Sequence, residues 1–235
     1  MDQKVYSLKK TARLAGLLYL LSAIIFPYGI IYVPTQIMVK GDAVTTAHNI
    51  LANELLFRTG IVGNLIGQLI FVLLVLVLHR LLKQINENQA NLMGALVIVG
   101  VPIAFIGELF KVTSLMILKG GILESTEPEQ MHDLVAILLK LGSYGTQMVQ
   151  FYWGLWLIPF GYLVYRSGFI PRILGVLLIL NGIAYITLCF TFLLFPDYQT
   201  IIGKIAMPFL FLGEFPILLW LLIKGVKVKP EISEV

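Results

Sequence analysis

Residues 92–118 read LMGALVIVGVPIAFIGELFKVTSLMIL, an apolar run that carries one glutamate and one lysine. A helix needs about 20 apolar residues to cross the hydrocarbon core of a bilayer, so this run is long enough to span one. A carboxylate at that depth costs about 2.5 kcal/mol or more on insertion scales, and it therefore tends to have a partner or a function. Glu108 is thus a feature of the fold and also the first candidate functional residue.

The middle of the same run has a close counterpart near the end of the chain. Residues 102–108 read Pro-Ile-Ala-Phe-Ile-Gly-Glu, and residues 208–214 read Pro-Phe-Leu-Phe-Leu-Gly-Glu. A weaker likeness joins residues 27–29 (Pro-Tyr-Gly) to residues 159–161 (Pro-Phe-Gly). Two halves of three spans each would have opposite orientations, which is the inverted-repeat plan of many secondary transporters. Chance likeness between apolar segments rich in Gly, Pro and Phe is the alternative.

The composition indicates an integral membrane protein. The 235 residues are 58% hydrophobic and 13% charged, with a mean hydropathy of +0.90, whereas soluble domains carry about 25% charge. The pI near 9.1 comes from basic residues at the ends of apolar runs, which argues against nucleic acid as a partner. Cys189 is the one cysteine, which excludes an intrachain disulfide and a cysteine-based metal motif.

Six apolar runs predict an all-α bundle of six transmembrane helices. The bundle forms one domain over residues 1–235, with residues 1–118 and 128–226 as its candidate halves. The first run follows a basic N-terminus but is far longer than the apolar core of a signal peptide, so we interpret it as an uncleaved span. The predicted spans are Leu14–Val33, Ile61–Leu78, Leu92–Leu118, Tyr144–Tyr165, Ile173–Phe195 and Ile201–Ile223.

The distribution of Lys and Arg sets the orientation of the spans. Basic residues precede span one, lie between spans two and three and between spans four and five, and follow span six. The opposite connections are rich in Asp and Glu. This alternation places both termini in the cytoplasm and predicts a multi-pass protein of the bacterial cytoplasmic (inner) membrane, surrounded by the lipid bilayer. The basic residues are Lys4, Lys9, Lys10, Arg13, Arg80, Lys83, Arg166, Arg172, Lys224, Lys227 and Lys229.

The two longer outer connections are predicted to hold short amphipathic helices. Asp42 is placed to N-cap a helix with apolar residues at helical spacing toward Arg58. Residues 126–129 (Thr-Glu-Pro-Glu) form a capping box that opens a second stretch. That stretch is expected to bend into span four at residues 142–145 (Gly-Ser-Tyr-Gly). The alternative is that it extends span four outward without interruption.

A compact turn is predicted between spans four and five on the cytoplasmic side. Gly168 suits a helix C-cap, and Pro171 suits the start of the next helix. Arg166 and Arg172 flank the turn, and we interpret them as topological anchors. A site for a lipid phosphate is the alternative.

The polar residues inside the spans form the candidate site. Glu108 and Glu214 lie about 10 and about 13 residues from the outer ends of their spans, which places both near the bilayer midplane. Lys111 is one helical turn from Glu108, and Pro208 and Pro216 leave backbone carbonyls near Glu214 without helical donors. The candidate ligand-binding or proton-responsive residues are Glu108, Lys111, Glu214, Asn64, Gln68, Gln147, Gln150 and Trp153.

Two interpretations of this polar set stay open. In the first, the side chains line an aqueous pocket that opens outward, and one glutamate is protonated near neutral pH unless Lys111 pairs with it. In the second, the amides and the Glu–Lys pair only join helices to one another. Trp153 is read in the same two ways, as the lining of a pocket for an apolar or cationic ligand or as packing against neighbouring spans.

Several stretches resemble one family of multi-pass membrane proteins. They are residues 13–20 (Arg-Leu-Ala-Gly-Leu-Leu-Tyr-Leu), residues 56–58 (Leu-Phe-Arg), the long stretch Trp156–Gly175, and residues 213–214 with 219–225. Together they resemble the bacterial domain-of-unknown-function family number four-three-eight-six over nearly the whole chain. The resemblance implies an integral protein of a bacterial inner membrane and implies no activity.

Three hypotheses of function follow. The first is a small carrier or binding protein for a small cation or an amphiphile, expected to be a homodimer because the chain is short for a carrier. The second is a non-catalytic accessory or sensory subunit that acts through partner helices. The third, a metal-dependent enzyme with an outer site from His48, Glu54, His132 and Asp133, is the least favoured, because no HExxH or GxSxG motif is present. We expect no catalytic residues, no bound metal and no cofactor.

Overall fold

The computed structural model describes residues 2–121 and 127–226, and it describes side chains from residue 8 onward. Within those ranges the chain is helical and has no strand, which confirms the all-α prediction. π-helical turns lie at Tyr28–Tyr32 and Trp220–Lys224, and a 3₁₀ turn lies at Pro196–Tyr198. The α-helices are α1 (Asp2–Pro27), α2 (Val33–Ile37), α3 (Ala43–Ala52), α4 (Glu54–Leu82), α5 (Glu87–Leu118), α6 (Pro128–Ser167), α7 (Arg172–Leu194) and α8 (Gln199–Leu219).

Five helical segments of the described chain are long and apolar enough to cross a membrane. They match predicted spans one, two, three, five and six, and their bounds are Leu8–Ile37, Glu54–Leu82, Glu87–Leu118, Arg172–Leu194 and Pro196–Lys224. The chain therefore has the helix content of a multi-pass membrane protein.

Predicted span four lies in α6, which is 40 residues long. The helix is long enough to cross a bilayer, since 40 residues extend about 60 Å at 1.5 Å per residue. It is less apolar than the other five because glutamine, tyrosine and tryptophan side chains interrupt its aliphatic residues.

The helix is not interrupted at residues 142–145, where we expected a bend. Of the two alternatives for this region, the structure shows the continuous helix. The Gly142 backbone lies close to Gly107, so Gly142 serves helix contact. The predicted capping box includes Thr126, which lies outside the described residues.

The first outer connection contains the predicted short helix. Asp42 caps α3: its carboxylate accepts hydrogen bonds from the Thr45 N–H at 2.8 Å and the Thr45 hydroxyl at 2.6 Å. The hydrogen bond from the Thr45 hydroxyl lowers the pKa of Asp42, because it stabilises the charged form. The helix ends at Ala52, where Asn53 leaves the helical conformation before α4 begins.

The described residues group into two compact units, each discontinuous in sequence. The first unit comprises Met1–Leu20, Phe71–Gly100 and Gln150–Val235, and the second comprises Leu21–Ile70 and Val101–Val149. Trp156 is buried in the core of the first unit, where it stacks on Phe160 and meets Phe71 edge-on. The second unit has its own core, made of Val33, Ile37, Ile50, Phe57, Ile61, Leu115, Ile117, Val135 and Leu139.

Paired glycines bring α6 and α7 together inside the first unit. A Cβ added at Gly161 would lie 2.6 Å from the Gly175 carbonyl oxygen, and one added at Gly182 would lie 2.7 Å from the Gly154 carbonyl oxygen. In each helix the two glycines are two turns apart, so they form one antiparallel contact line. Small residues that allow backbones to approach are a common basis of helix packing in membranes.

We predict that Gly161→Ala lowers stability by about 1–3 kcal/mol, because the added methyl meets backbone atoms that cannot rotate away. The measurement is the midpoint of thermal unfolding in detergent. The matched control is Gly145→Ala in the same helix, where a Cβ would meet nothing within 4 Å. Equal unfolding midpoints for the two variants would contradict the close approach of α6 and α7.

Candidate functional site

Glu108 lies in the second unit and is held by an amide and a cation. Its Oε1 accepts hydrogen bonds from Asn64 Nδ2 at 2.9 Å and from Lys111 Nζ at 2.8 Å. The side chains of Lys111 and Glu108 are only 18% and 12% exposed. The predicted pairing one turn apart is therefore confirmed, and the carboxylate has a resident counter-charge.

Close packing fixes the position of Asn64 on α4. The side chain is buried, and a Cβ added at Gly29 would overlap its amide group. Gly29 belongs to the π-helical turn between α1 and α2. Only glycine leaves room there for the amide that donates to Glu108.

Two buried acceptor atoms of this group have no hydrogen-bond partner within the described ranges of the chain. They are Glu108 Oε2 and Asn64 Oδ1. A buried acceptor without a donor is unfavourable, so these atoms are suited to a proton, a small cation or a water molecule. Nearby, Lys111 lines an otherwise apolar cavity of about 10 Å³, which is roughly the space of one water molecule.

Glu214 lies in the first unit and has neutral partners. Tyr19 donates its hydroxyl to Oε2 at 2.5 Å, and Asn181 donates Nδ2 to Oε1 at 3.1 Å. Tyr19 and Asn181 are both buried, whereas Glu214 is partly buried. Within the part of the chain that is described, no Lys, Arg or His forms an ion pair with Glu214. The charge of this carboxylate is thus not compensated by a cationic side chain.

The glycine of the repeated Gly-Glu phrase has a role in each place. A Cβ added at Gly213 would overlap the Asn181 side chain, so this glycine lets α8 approach α7 next to Glu214. Gly107 faces the Gly142 carbonyl, at 3.8 Å from the position of an added Cβ. In both cases the glycine next to the glutamate allows another helix to approach closely.

The other predicted candidates are divided between the two units. Gln68 is buried in the second unit one turn from Asn64, and Gln147 belongs to the same unit. Gln150 and Trp153 belong to the first unit, where Trp153 meets Tyr185 edge-on at 5.9 Å between ring centroids. This contact shows packing for Trp153. The hydrogen bonds to Glu108 and Glu214 described above come from other residues. Gln68, Gln147, Gln150 and Trp153 take no part in them.

Sequence reasoning missed Tyr19 and gave Asn181 no role. Tyr19 is separated from Glu214 by 195 positions, so no local spacing connects them. The available signal was a single hydroxyl-bearing ring in a stretch of small and aliphatic residues, a position where a buried tyrosine needs a hydrogen-bond partner.

No group of three His, Cys, Asp or Glu residues able to hold a metal ion occurs among the described residues. Glu54, one member of the outer set considered above, accepts from Arg58 at 2.7 Å and from Lys119 at 3.0 Å. These ion pairs occupy its carboxylate with cations of the protein.

Comparison with known proteins identifies the family. The profile of the family described as "Domain of unknown function (DUF4386)" matches residues 14–225. The chain belongs to this family. A relative described as an uncharacterized protein, from Archaeoglobus fulgidus, is 30% identical over 175 residues, which cover 74% of this chain and 88% of that protein. No solved structure matches the chain significantly.

The DUF4386 assignment confirms the resemblance inferred from the sequence. It implies no activity, so any chemistry has to be inferred from the site. Because the relative is archaeal, membership in the family does not by itself indicate a bacterial protein.

We predict that Lys111→Met destabilises the protein by about 3 kcal/mol, because it leaves the carboxylate of Glu108 largely buried without a cation. The readout is the unfolding midpoint in detergent. Lys119→Met is the matched control: its ion pair with Glu54 is more exposed, at 45% and 29%, and its loss should cost less than about 1 kcal/mol.

The double variant Lys111→Met with Glu108→Gln tests the cause. It should recover most of the lost stability, since it removes the uncompensated charge. A double variant as unstable as Lys111→Met alone would show that the loss came from packing and not from charge.

Proposed function

We propose that this DUF4386 protein crosses the bacterial cytoplasmic membrane six times, with both termini in the cytoplasm. Five apolar helices of sufficient length support five of the spans, and the length of α6 supports the sixth. The basic residues cluster at connections that this topology places in the cytoplasm, in accord with the positive-inside rule.

Cysteine labelling tests this topology. In a Cys189→Ser background, Asp197→Cys should react with a membrane-impermeant thiol reagent in intact cells, whereas Asn88→Cys should react only after permeabilisation. Both positions are exposed and lie at connections of opposite predicted side. Labelling of Asn88→Cys in intact cells would overturn the proposed orientation.

We infer further that the protein binds or carries a proton or a small cation, with Glu214 as the responsive group. The observation that carries this proposal is that Glu214 receives hydrogen bonds from Tyr19 and Asn181, both neutral, and has no cationic partner among the described residues. A carboxylate at membrane depth without a cation is strongly disfavoured. It therefore takes up a proton or a cation, and it releases either when its surroundings become wetter.

Glu108 has a different part in this proposal. Lys111 already neutralises it, so the pair adds no net charge to the second unit. Glu108 Oε2 and Asn64 Oδ1, which have no donor among the described residues, are each available to a cation or to a water that delivers protons. The single-water scale of the cavity at Lys111 favours an ion or proton over an amphiphile as the ligand. A homodimer is the assembly that we propose for so short a carrier.

Glu214→Gln tests the responsive group, with Glu108→Gln as the comparison. At neutral pH, the infrared spectrum of the purified protein should contain a carboxylic-acid C=O band from Glu214. Glu214→Gln removes this band and Glu108→Gln retains it. A band that persists in Glu214→Gln would show that Glu214 is not the protonated group.

Transport is measured in proteoliposomes that enclose a pH-sensitive dye. An imposed gradient of H⁺, Na⁺ or K⁺ should produce a dye response in the natural protein at least about tenfold above that of Glu214→Gln. The lipophilic cation tetraphenylphosphonium serves as the amphiphilic probe. Equal responses from protein-free liposomes and from the natural protein with every probe would reject the carrier function.

A non-catalytic accessory or sensory subunit is the second candidate. It is favoured by one observation: the hydrogen bonds of Glu214 join α1, α7 and α8, which is also what helix-joining polar residues do. Under this alternative, the amide of Glu214→Gln still hydrogen-bonds to Tyr19 and Asn181. The substitution then changes neither ion flux nor recovery of the partner. Affinity purification from native membranes with a stoichiometric partner, together with absent flux, would support it.

A further inference from the structure

The turn between α6 and α7 brings two arginines to one place. Gly168 has φ +71°, the left-handed conformation that ends α6, and Pro171 caps the start of α7. The Ser167 hydroxyl accepts the Ile170 N–H at 3.2 Å, which closes the turn. The predicted turn is confirmed, and it sets Arg166 and Arg172 on either side.

The two arginines line a cleft within the first unit. Its volume is about 520 Å³, and its lining is completed by Tyr165, Gln84 and Ile85. This volume lies within the roughly 300–1,000 Å³ that small-molecule sites occupy. The lining combines cationic, amide and apolar groups, which suits a ligand with a charged head and an apolar remainder.

The guanidinium groups of the cleft have no acidic partner among the residues that the structure describes. Neither Arg166 nor Arg172 forms a salt bridge with any carboxylate of the described chain. The Arg172 guanidinium carbon lies 5.6 Å from the centroid of the Tyr165 ring, a cation–π contact that involves no carboxylate. The nearby start of α7 has no side-chain cap, so the positive end of its dipole adds to the same field.

We propose that this cleft binds the phosphate group of an anionic ligand, with the headgroup of an anionic membrane lipid as its source. Arginine donates to phosphate through a fork of N–H groups, and two of them can hold one phosphate from both sides. Ile85 and Tyr165 provide apolar contact for the glycerol and first acyl carbons of a lipid. The cleft lies at the connections that the proposed topology puts at the cytoplasmic surface, where anionic lipids attract basic residues.

The test is a binding titration of the full chain in a mild detergent, followed by native mass spectrometry. Phosphatidylglycerol is the probe, and phosphatidylcholine is the zwitterionic comparison. We expect phosphatidylglycerol to bind at least about tenfold more tightly than phosphatidylcholine. Arg166→Gln with Arg172→Gln should weaken phosphatidylglycerol binding about tenfold or more, since charge-assisted hydrogen bonds are lost.

Arg80→Gln is the matched control for the single variant Arg166→Gln, because each removes one charge from an exposed position on the same predicted face, and Arg80 lies outside the cleft. Its affinity should stay within about twofold. Arg166→Gln alone, at an exposed site without an ion pair in the described part of the chain, gives a smaller loss and guards against misfolding of the double variant.

Two results would overturn the proposal: equal phosphatidylglycerol binding by the natural protein and the double variant, or an equal loss in Arg80→Gln. Glycerol 3-phosphate is titrated in parallel. If it binds as tightly as the lipid and with the same dependence on the two arginines, the phosphate site is upheld and its ligand is a soluble phosphate ester.

Discussion

A carboxylate inside a bundle of apolar helices must be given a proton, a cation or a complete set of donors, and this requirement determines the neighbours of Glu108 and Glu214. Glu214 obtains donors from two other helices, through Tyr19 on α1 and Asn181 on α7. Three helices are therefore arranged around one side chain. Glu108 meets the same requirement through Asn64 and Lys111, and the lysine comes from its own helix.

Glycines at helix contacts make these hydrogen bonds possible, because they allow the backbones to approach closely. Lipid provides little hydrophobic driving force between helices, so close backbone approach and polar contacts contribute most of the specificity. Gly29 and Gly213 lie against the two asparagines that donate to the glutamates, and a methyl at either position would overlap the amide. The paired glycines of α6 and α7 serve the same purpose without a polar group. Packing and polar satisfaction thus depend on the same small residues.

Local features of the sequence predicted the fold well. Apolar length marked five helices that are able to span a membrane, Asp42 marked the start of α3, and the three-residue spacing marked the Glu108–Lys111 pair. Each of these rests on neighbours within a turn or a run. The uninterrupted course of α6 was left open, because glycines can serve a bend or a contact and the sequence does not distinguish them.

Contacts between distant helices were not predictable in the same way. Asn64 was singled out as a polar residue inside a span, but its pairing with Glu108 across two helices depends on how α4 and α5 pack. Tyr19 was missed altogether, since nothing near it in the sequence refers to residue 214. The sequence therefore shows which polar residues lie inside apolar runs. Which of them pair with the glutamates depends on how the helices pack.

The two glutamate groups share more than the repeated phrase. In each, an asparagine on the preceding long helix donates Nδ2 to Oε1 of the glutamate, from α4 to α5 in one and from α7 to α8 in the other. Each asparagine also has an Oδ1 without a hydrogen-bond partner among the described residues, although the glycine packed on it comes from the first span in one group and from the glutamate's own helix in the other. Chance likeness between apolar segments accounts for matching letters but not for matching donors. The third partner then distinguishes the two groups: a lysine forms an ion pair with Glu108, whereas a tyrosine hydroxyl donates to Glu214.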